Sequence, residues 1–122
     1  MYKEIDHTAD VAYEISAQSF FEILKDIIKI FKENYAPKIN CKSYKHYKYK
    51  LKENEDAIFD IVNDWIASIE LGYFPVEIYA DYTVKFCPFD GITGNGFKAL
   101  TYHNLKIEKI ENMLKIKVVF DI

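Results

Sequence analysis

Polar and apolar positions alternate at the start of the chain. Ile5, and then Val11, Tyr13 and Ile15, predict two short extended pieces, with the polar turn His7-Thr8-Ala9-Asp10 between them or just ahead of the second. The period then changes. Phe20, Ile23, Leu24, Ile27, Ile28 and Phe31 recur at spacings of three and four and share one helical face; Ser19 and Glu22 form a capping box ahead of them, and Pro37 ends the helix. From Cys41 to Lys52 a period of two returns in Tyr47, Lys48, Tyr49, Lys50, Leu51 and Lys52, which predicts a strand with one wet and one dry face. Asn54, followed by Glu55 and Asp56, starts a second helix, whose stripe is Ile58, Ile61, Val62, Trp65, Ile66 and Ile69 and whose end is Gly72. Pro75 resets the chain. Val76, Ile78 and Ala80, then Tyr82, Val84 and Phe86, predict an antiparallel pair about Ala80-Asp81, and Gly91 to Gly96 reads as a flexible loop. Two long strands finish the chain, Phe97 to Ile110 and Leu114 to Phe120, joined at Glu111-Asn112.

The order β-β-α-β-α followed by several strands, with links short enough for hairpins, predicts an α+β fold: a mostly antiparallel sheet system with two helices packed on it. A parallel, doubly wound sheet does not fit that order. At 122 residues, half of them hydrophobic, one core and one domain over 1–122 are expected, and hence one site rather than several. No linker, repeat or low-complexity tract interrupts the chain.

Charge and cysteine content narrow the chemistry. The apolar runs are short and broken by lysine, and Met1-Tyr2-Lys3-Glu4-Ile5-Asp6 lacks the apolar stretch of a signal peptide, so a cytoplasmic protein without a membrane partner is expected. The formal charge of −3 argues against wrapping nucleic acid with the whole surface, while leaving room for a local basic patch. All 16 basic side chains are lysines, so any anion is met by point charges and not by the planar fork of arginine. Cys41 and Cys87 form no Cys-x-x-Cys pair, and three histidines are too few to complete a structural zinc site; thiols, not a disulfide, are the expectation.

Chemistry is sought first at the two ends. Asp10 lies in a turn, Asp121 is penultimate and Ile122 adds a terminal carboxylate; brought together, these hard oxygens suit calcium, magnesium or manganese. The plainer reading has Asp10 capping its turn and the C-terminus in water. Gly91-Ile92-Thr93-Gly94-Asn95-Gly96 with Lys98 behind it offers backbone amides to a phosphate, but no helix follows, and a plain loop is the preferred reading. Asp56, Asp60 and Asp64 make a carboxylate row on the second helix, ordinarily a solvated face. Tyr44 to Lys50 interleaves lysine and aromatic residues, which suits single-stranded RNA; an edge strand shielded by lysines explains the same composition and is preferred. His103, near the middle of a predicted strand, reads as a hydrogen-bonded structural histidine. No complete catalytic motif is present.

Four segments nevertheless look like the signatures of one family. His7-Thr8-Ala9-Asp10-Val11, Asp64-Trp65-Ile66, Lys98-Ala99-Leu100-Thr101-Tyr102-His103 and Val118-Val119-Phe120-Asp121-Ile122 resemble the motifs of the archeases, in the same order and over nearly the whole chain. The resemblance implies a non-catalytic activator of the GTP-dependent tRNA-splicing RNA ligase, which promotes ligase guanylylation and repeated turnover and meets GTP and RNA through that ligase. It also implies a divalent cation, calcium in crystals with magnesium or manganese as alternatives, on Asp10, Asp121 and Ile122. Lys98 is then the residue that contacts the partner or a phosphate, and His7, Asp64 and His103 match motif positions with supporting roles. Asn104, where a glycine is common in the family, and the lysine-tyrosine strand depart from the pattern without touching the expected ligands. Two other classes stand against the activator: a stand-alone metal-dependent nucleotide-binding protein or phosphohydrolase, and an RNA-binding or chaperone-like module acting through Tyr44 to Lys50.

Overall fold

The computed structural model describes residues 1–5 and 10–122. Along the chain it forms β1 (Tyr2–Ile5), β2 (Val11–Ala17), α1 (Phe20–Tyr35), β3 (Pro37–Ile39), β4 (Lys45–Lys48), α2 (Glu55–Glu70), β5 (Tyr73–Ile78), β6 (Thr83–Ile92), β7 (Ala99–Leu100), β8 (Glu108–Ile110) and β9 (Met113–Asp121). Both helices begin where their caps predict. Ser19 Oγ accepts the Glu22 N–H at 3.2 Å and Asn54 Oδ1 accepts the Ala57 N–H at 3.0 Å, each satisfying one of the amides that a helix start leaves open. The stripes predicted from spacing are buried, Ile23 to Phe31 on α1 and Ile58 to Ile69 on α2. Asp26 is a charged residue on the buried side of α1, and the Met1 ammonium meets its Oδ2 at 2.6 Å. Among the described residues, no helix is long and apolar enough to cross a membrane.

The strands form two sheets, and every pairing between the described strands is antiparallel. In the first, β2 pairs with β9 from Val11 opposite Phe120 to Ala17 opposite Leu114, and β1 covers the other edge of β2. Phe120 also pairs with Leu100, and Leu114 also pairs with Lys109, so β7 and β8 share the edge of β9 opposite β2. In the second sheet β6 is the common partner of β3, β4 and β5. One buried cluster joins both sheets and both helices. At its centre the Phe31 ring meets those of Tyr35, Trp65, Phe97 and Phe120 at 5.5 to 6.0 Å, mostly edge to face, the arrangement that ring quadrupoles favour.

Three expectations are corrected. The strand drawn from Cys41 to Lys52 shortens to Lys45–Lys48, and a separate strand, Pro37–Ile39, precedes it. The strand drawn from Phe97 to Ile110 is interrupted: only its two ends pair with β9, and His103-Asn104 forms a turn in which Asn104 takes the left-handed φ of 55°. Asparagine tolerates that conformation better than most residues. Finally, Cys41 and Cys87 are joined in a disulfide, with Cα atoms 5.0 Å apart. The two cysteines meet because β3 and β4 both run antiparallel to β6, so the link between them passes beside Cys87, a contact between residues 46 apart.

Candidate functional site

Asp10 and Asp121 flank one register position. Val11 on β2 lies opposite Phe120 on β9, Asp10 directly precedes Val11, and Asp121 directly follows Phe120. Adjacent strands run about 5 Å apart, so the two aspartates belong to the same end of the same sheet. Phe120, Val118 and Ile116 are buried on the core side of β9, and strand alternation therefore turns Asp121 to the opposite face. Asp121 and Ile122 are exposed, and Asp10 is half-buried. On the other side of β9, Ala99 pairs with Asp121 and the Lys98 N–H donates to the Asp121 carbonyl at 2.8 Å. Lys98 thus stands one register step from Asp121, with an exposed side chain. His7 lies outside the described residues.

The strand carrying this lysine is held from behind by a residue whose role the sequence did not disclose. Asn63 Nδ2 donates to the Leu100 carbonyl at 3.2 Å, and Asn63 Oδ1 accepts the Leu100 N–H at 2.8 Å. The carboxamide substitutes for a neighbouring strand, pairing both backbone groups on the edge of β7 that faces away from β9. An asparagine inside a helix, bordered by Val62 and Trp65 of the apolar stripe, is the available signal, since asparagine is a poor helix former. The rest of α2 anchors the following segment. Tyr102 Oη donates to Asp56, its ring lies 5.0 Å from that of Phe59, and Glu55 Oε2 accepts the Ile107 N–H at 2.8 Å.

The other candidates lie elsewhere or have other work. Asp64 accepts the Tyr49 hydroxyl at 2.6 Å, on the side of α2 that faces the lysine-tyrosine strand. Burial first, and then this carboxylate, push the Tyr49 phenol well above its ordinary range. His103 is exposed in a turn. The glycine loop has given its amides away: the N–H groups of Thr93, Gly94 and Gly96 donate to the carbonyls of Ala36, Tyr35 and Asn34 at 3.3, 2.9 and 3.2 Å. It closes the end of α1, whose last carbonyls would otherwise lack partners. A Cβ at Gly94 would stand 1.9 Å from the Asn34 carbonyl oxygen, so the close approach requires glycine. These amides are not disposed to cradle a phosphate.

The sequence profile of the Archease protein family matches residues 2–122. The chain belongs to the archease family. It is 44% identical over 124 residues to "Protein archease" of Thermotoga maritima, covering 99% of each. The crystal structure of a Thermotoga maritima archease, titled a possible chaperone, superposes with a TM-score of 0.87 at 43% identity, covering 100% of this chain and 98% of that one. A solution structure of Methanobacterium thermoautotrophicum protein 1598 shares the fold alone, with a TM-score of 0.68 at 13% identity and coverage of 99% and 98%. Two helices on antiparallel sheets are thus the archease architecture. Among the described residues, no group of three or more histidine, cysteine or acidic side chains is placed to hold a metal. Asp10 and Asp121 at this sheet end offer oxygen donors of the kind calcium, magnesium and manganese accept.

Proposed function

We propose that this protein is a non-catalytic activator of the GTP-dependent tRNA-splicing RNA ligase, promoting ligase guanylylation and multiple turnover from the Asp10–Asp121 end of its first sheet. Family membership supports the class, and one observation carries the residue assignment: the β2–β9 register brings Asp10 and Asp121 to neighbouring positions, with Lys98 bonded through its amide to Asp121. Asp10, Asp121 and the terminal carboxylate of Ile122 would hold one divalent cation of the calcium, magnesium or manganese kind. Such an ion supplies positive charge against phosphate oxygens during nucleotidyl transfer. The protein's own contribution is presentation. A continuous ladder and the Asn63 clamp fix the backbone at Asp121 and Lys98, so little conformational freedom is lost there when a partner engages them. Lys98, exposed beside the carboxylates, is assigned to a phosphate or an acidic residue of the ligase.

Ligase guanylylation is the direct test, measured with GTP and limiting metal, with and without this protein. Asp10→Ala and Asp121→Ala are expected to abolish most of the stimulation while thermal unfolding stays near that of the parent. Full stimulation by both variants would remove these residues from the mechanism. Turnover of GTP by the purified protein alone would replace the activator with an enzyme.

A further inference from the structure

Strand β4 is four residues long and all four are exposed. Its register on β6 sets Tyr47 opposite Val84 and His46 opposite Lys85. Val84 and Phe86 are buried, so Lys45 and Tyr47 lie on the core side of this sheet, and His46 and Lys48 on its solvent side. There, the Tyr44 ring meets His46 at 5.1 Å and His46 meets Tyr79 at 6.0 Å, centroid to centroid. Tyr44 and Tyr79 are 54% and 38% exposed, and none of the three rings belongs to the buried cluster. Lys85 Nζ lies 4.6 Å from the Tyr44 centroid. Between Lys42 and Lys52 the chain has five lysines and no carboxylate, within a molecule of formal charge −3. Two carboxylates border the face: Glu77, paired across the ladder with Lys85, and Asp81, 3.9 Å from Lys48 and bonded to the Thr83 N–H.

Shielding of an exposed edge accounts for the lysines, because charge alone deters pairing with another strand. It does not account for three adjacent rings kept in water by side chains that add nothing to the core. Exposed ring faces beside ammonium groups match one chemistry: bases stack on the rings, whatever their sequence, and lysines neutralise the phosphates between them. The groove on the other side of β4, about 840 Å³ in volume, takes Lys45, Lys50 and Lys52, but Asp56, Asp60 and Asp64 on its helix wall offset them and repel phosphate. That leaves the solvent side.

We infer that the outer face of β4–β6–β5 binds a single strand of nucleic acid, with bases on Tyr44, His46 and Tyr79 and phosphates on Lys48 and Lys85. This face belongs to the second sheet, whereas Asp10 and Asp121 belong to the first. It gives the protein a contact with a polynucleotide that does not pass through a partner.

Fluorescence anisotropy with a labelled single-stranded oligouridylate at low salt tests the inference on the intact protein. The Tyr44→Ala/Tyr79→Ala variant is expected to bind roughly tenfold more weakly or worse, and Tyr44→Phe/Tyr79→Phe to bind like the parent. Lys48→Glu and Lys85→Glu should each weaken binding and flatten the salt dependence by roughly 0.7 in the log–log slope. Duplex RNA and heparin should compete poorly. Unchanged affinity in the tyrosine-to-alanine variant, or equal binding of heparin, would reduce the face to a general cation patch and overturn the inference. So would loss of ligase stimulation in these variants without any oligonucleotide binding by the parent, which would make the face a protein-docking surface.

Discussion

The Asp10–Asp121 corner and the β4 face are both built on antiparallel strands, but they are held in different ways. At the corner, seven consecutive residues of β2 pair with β9, and the Phe120 ring stacks on Phe97 at 4.0 Å directly beneath. Backbone ladder and core reinforce one another there. β4 has four pairings and no buried residue, and side chains add to its restraint: the Cys41–Cys87 disulfide ahead of it and the Tyr49–Asp64 hydrogen bond after it. A continuous ladder over a packed core fixes position residue by residue, whereas a short exposed strand needs covalent or polar ties at its ends.

The corner is most severely disturbed from beneath. Phe120→Ala removes a fully buried ring and is expected to cost about 3–5 kcal/mol in chemical denaturation, with the β2–β9 amides losing exchange protection along with the global structure. Replacing both cysteines, Cys41→Ala with Cys87→Ala, releases a link between residues 46 apart and should cost about 2–4 kcal/mol. Its local signature differs: amides of β4 should exchange faster while those of β2 and β9 keep their order of protection. Asn63→Ala leaves the Leu100 N–H and carbonyl without their partners, at about 1–3 kcal/mol. Its sharper consequence is at the corner, where a loosened Lys98–Leu100 segment should lower ligase stimulation more than the stability loss explains.

The smallest effect is expected at Tyr49→Phe, about 0.5–1.5 kcal/mol near neutral pH. Here pH sharpens the contrast. Burial, followed by the Asp64 hydrogen bond, raises the Tyr49 phenol above the ordinary tyrosine value of about 10 in the folded protein, so the folded state favours the protonated form. Its contribution is fully present below about pH 10 and is lost as pH rises through the folded value. Denaturation midpoints of the parent should therefore fall in that alkaline window, and Tyr49→Phe should flatten the fall. An identical alkaline profile in both proteins would assign the loss to other tyrosines.

Much of the candidate corner was legible because its parts are local words. Asp10 in its polar turn and Asp121 at the end of an alternating strand are visible in the chain, and the ladder then sets them at one end of one sheet. Asn63 was legible only as an oddity, a weak helix former beside an apolar stripe, because its partner Leu100 lies 37 residues away. Tyr44 and His46 belong to one lysine-aromatic segment of the sequence, but Tyr79 could not be grouped with them beforehand, since it comes from a different strand region.

By itself, the sequence determined the two helices, their caps and buried stripes, and the hairpin and turn that lead into β6 and β9. Caps and periodicities act within a turn or two of helix or strand, so their information is complete over a few residues. Tertiary structure alone decided that Cys41 meets Cys87, that the glycine loop closes α1, and that the chain from Phe97 to Ile110 breaks at Asn104. Each depends on segments brought together by the common core, where burial and unsatisfied backbone groups in one part select the conformation of another.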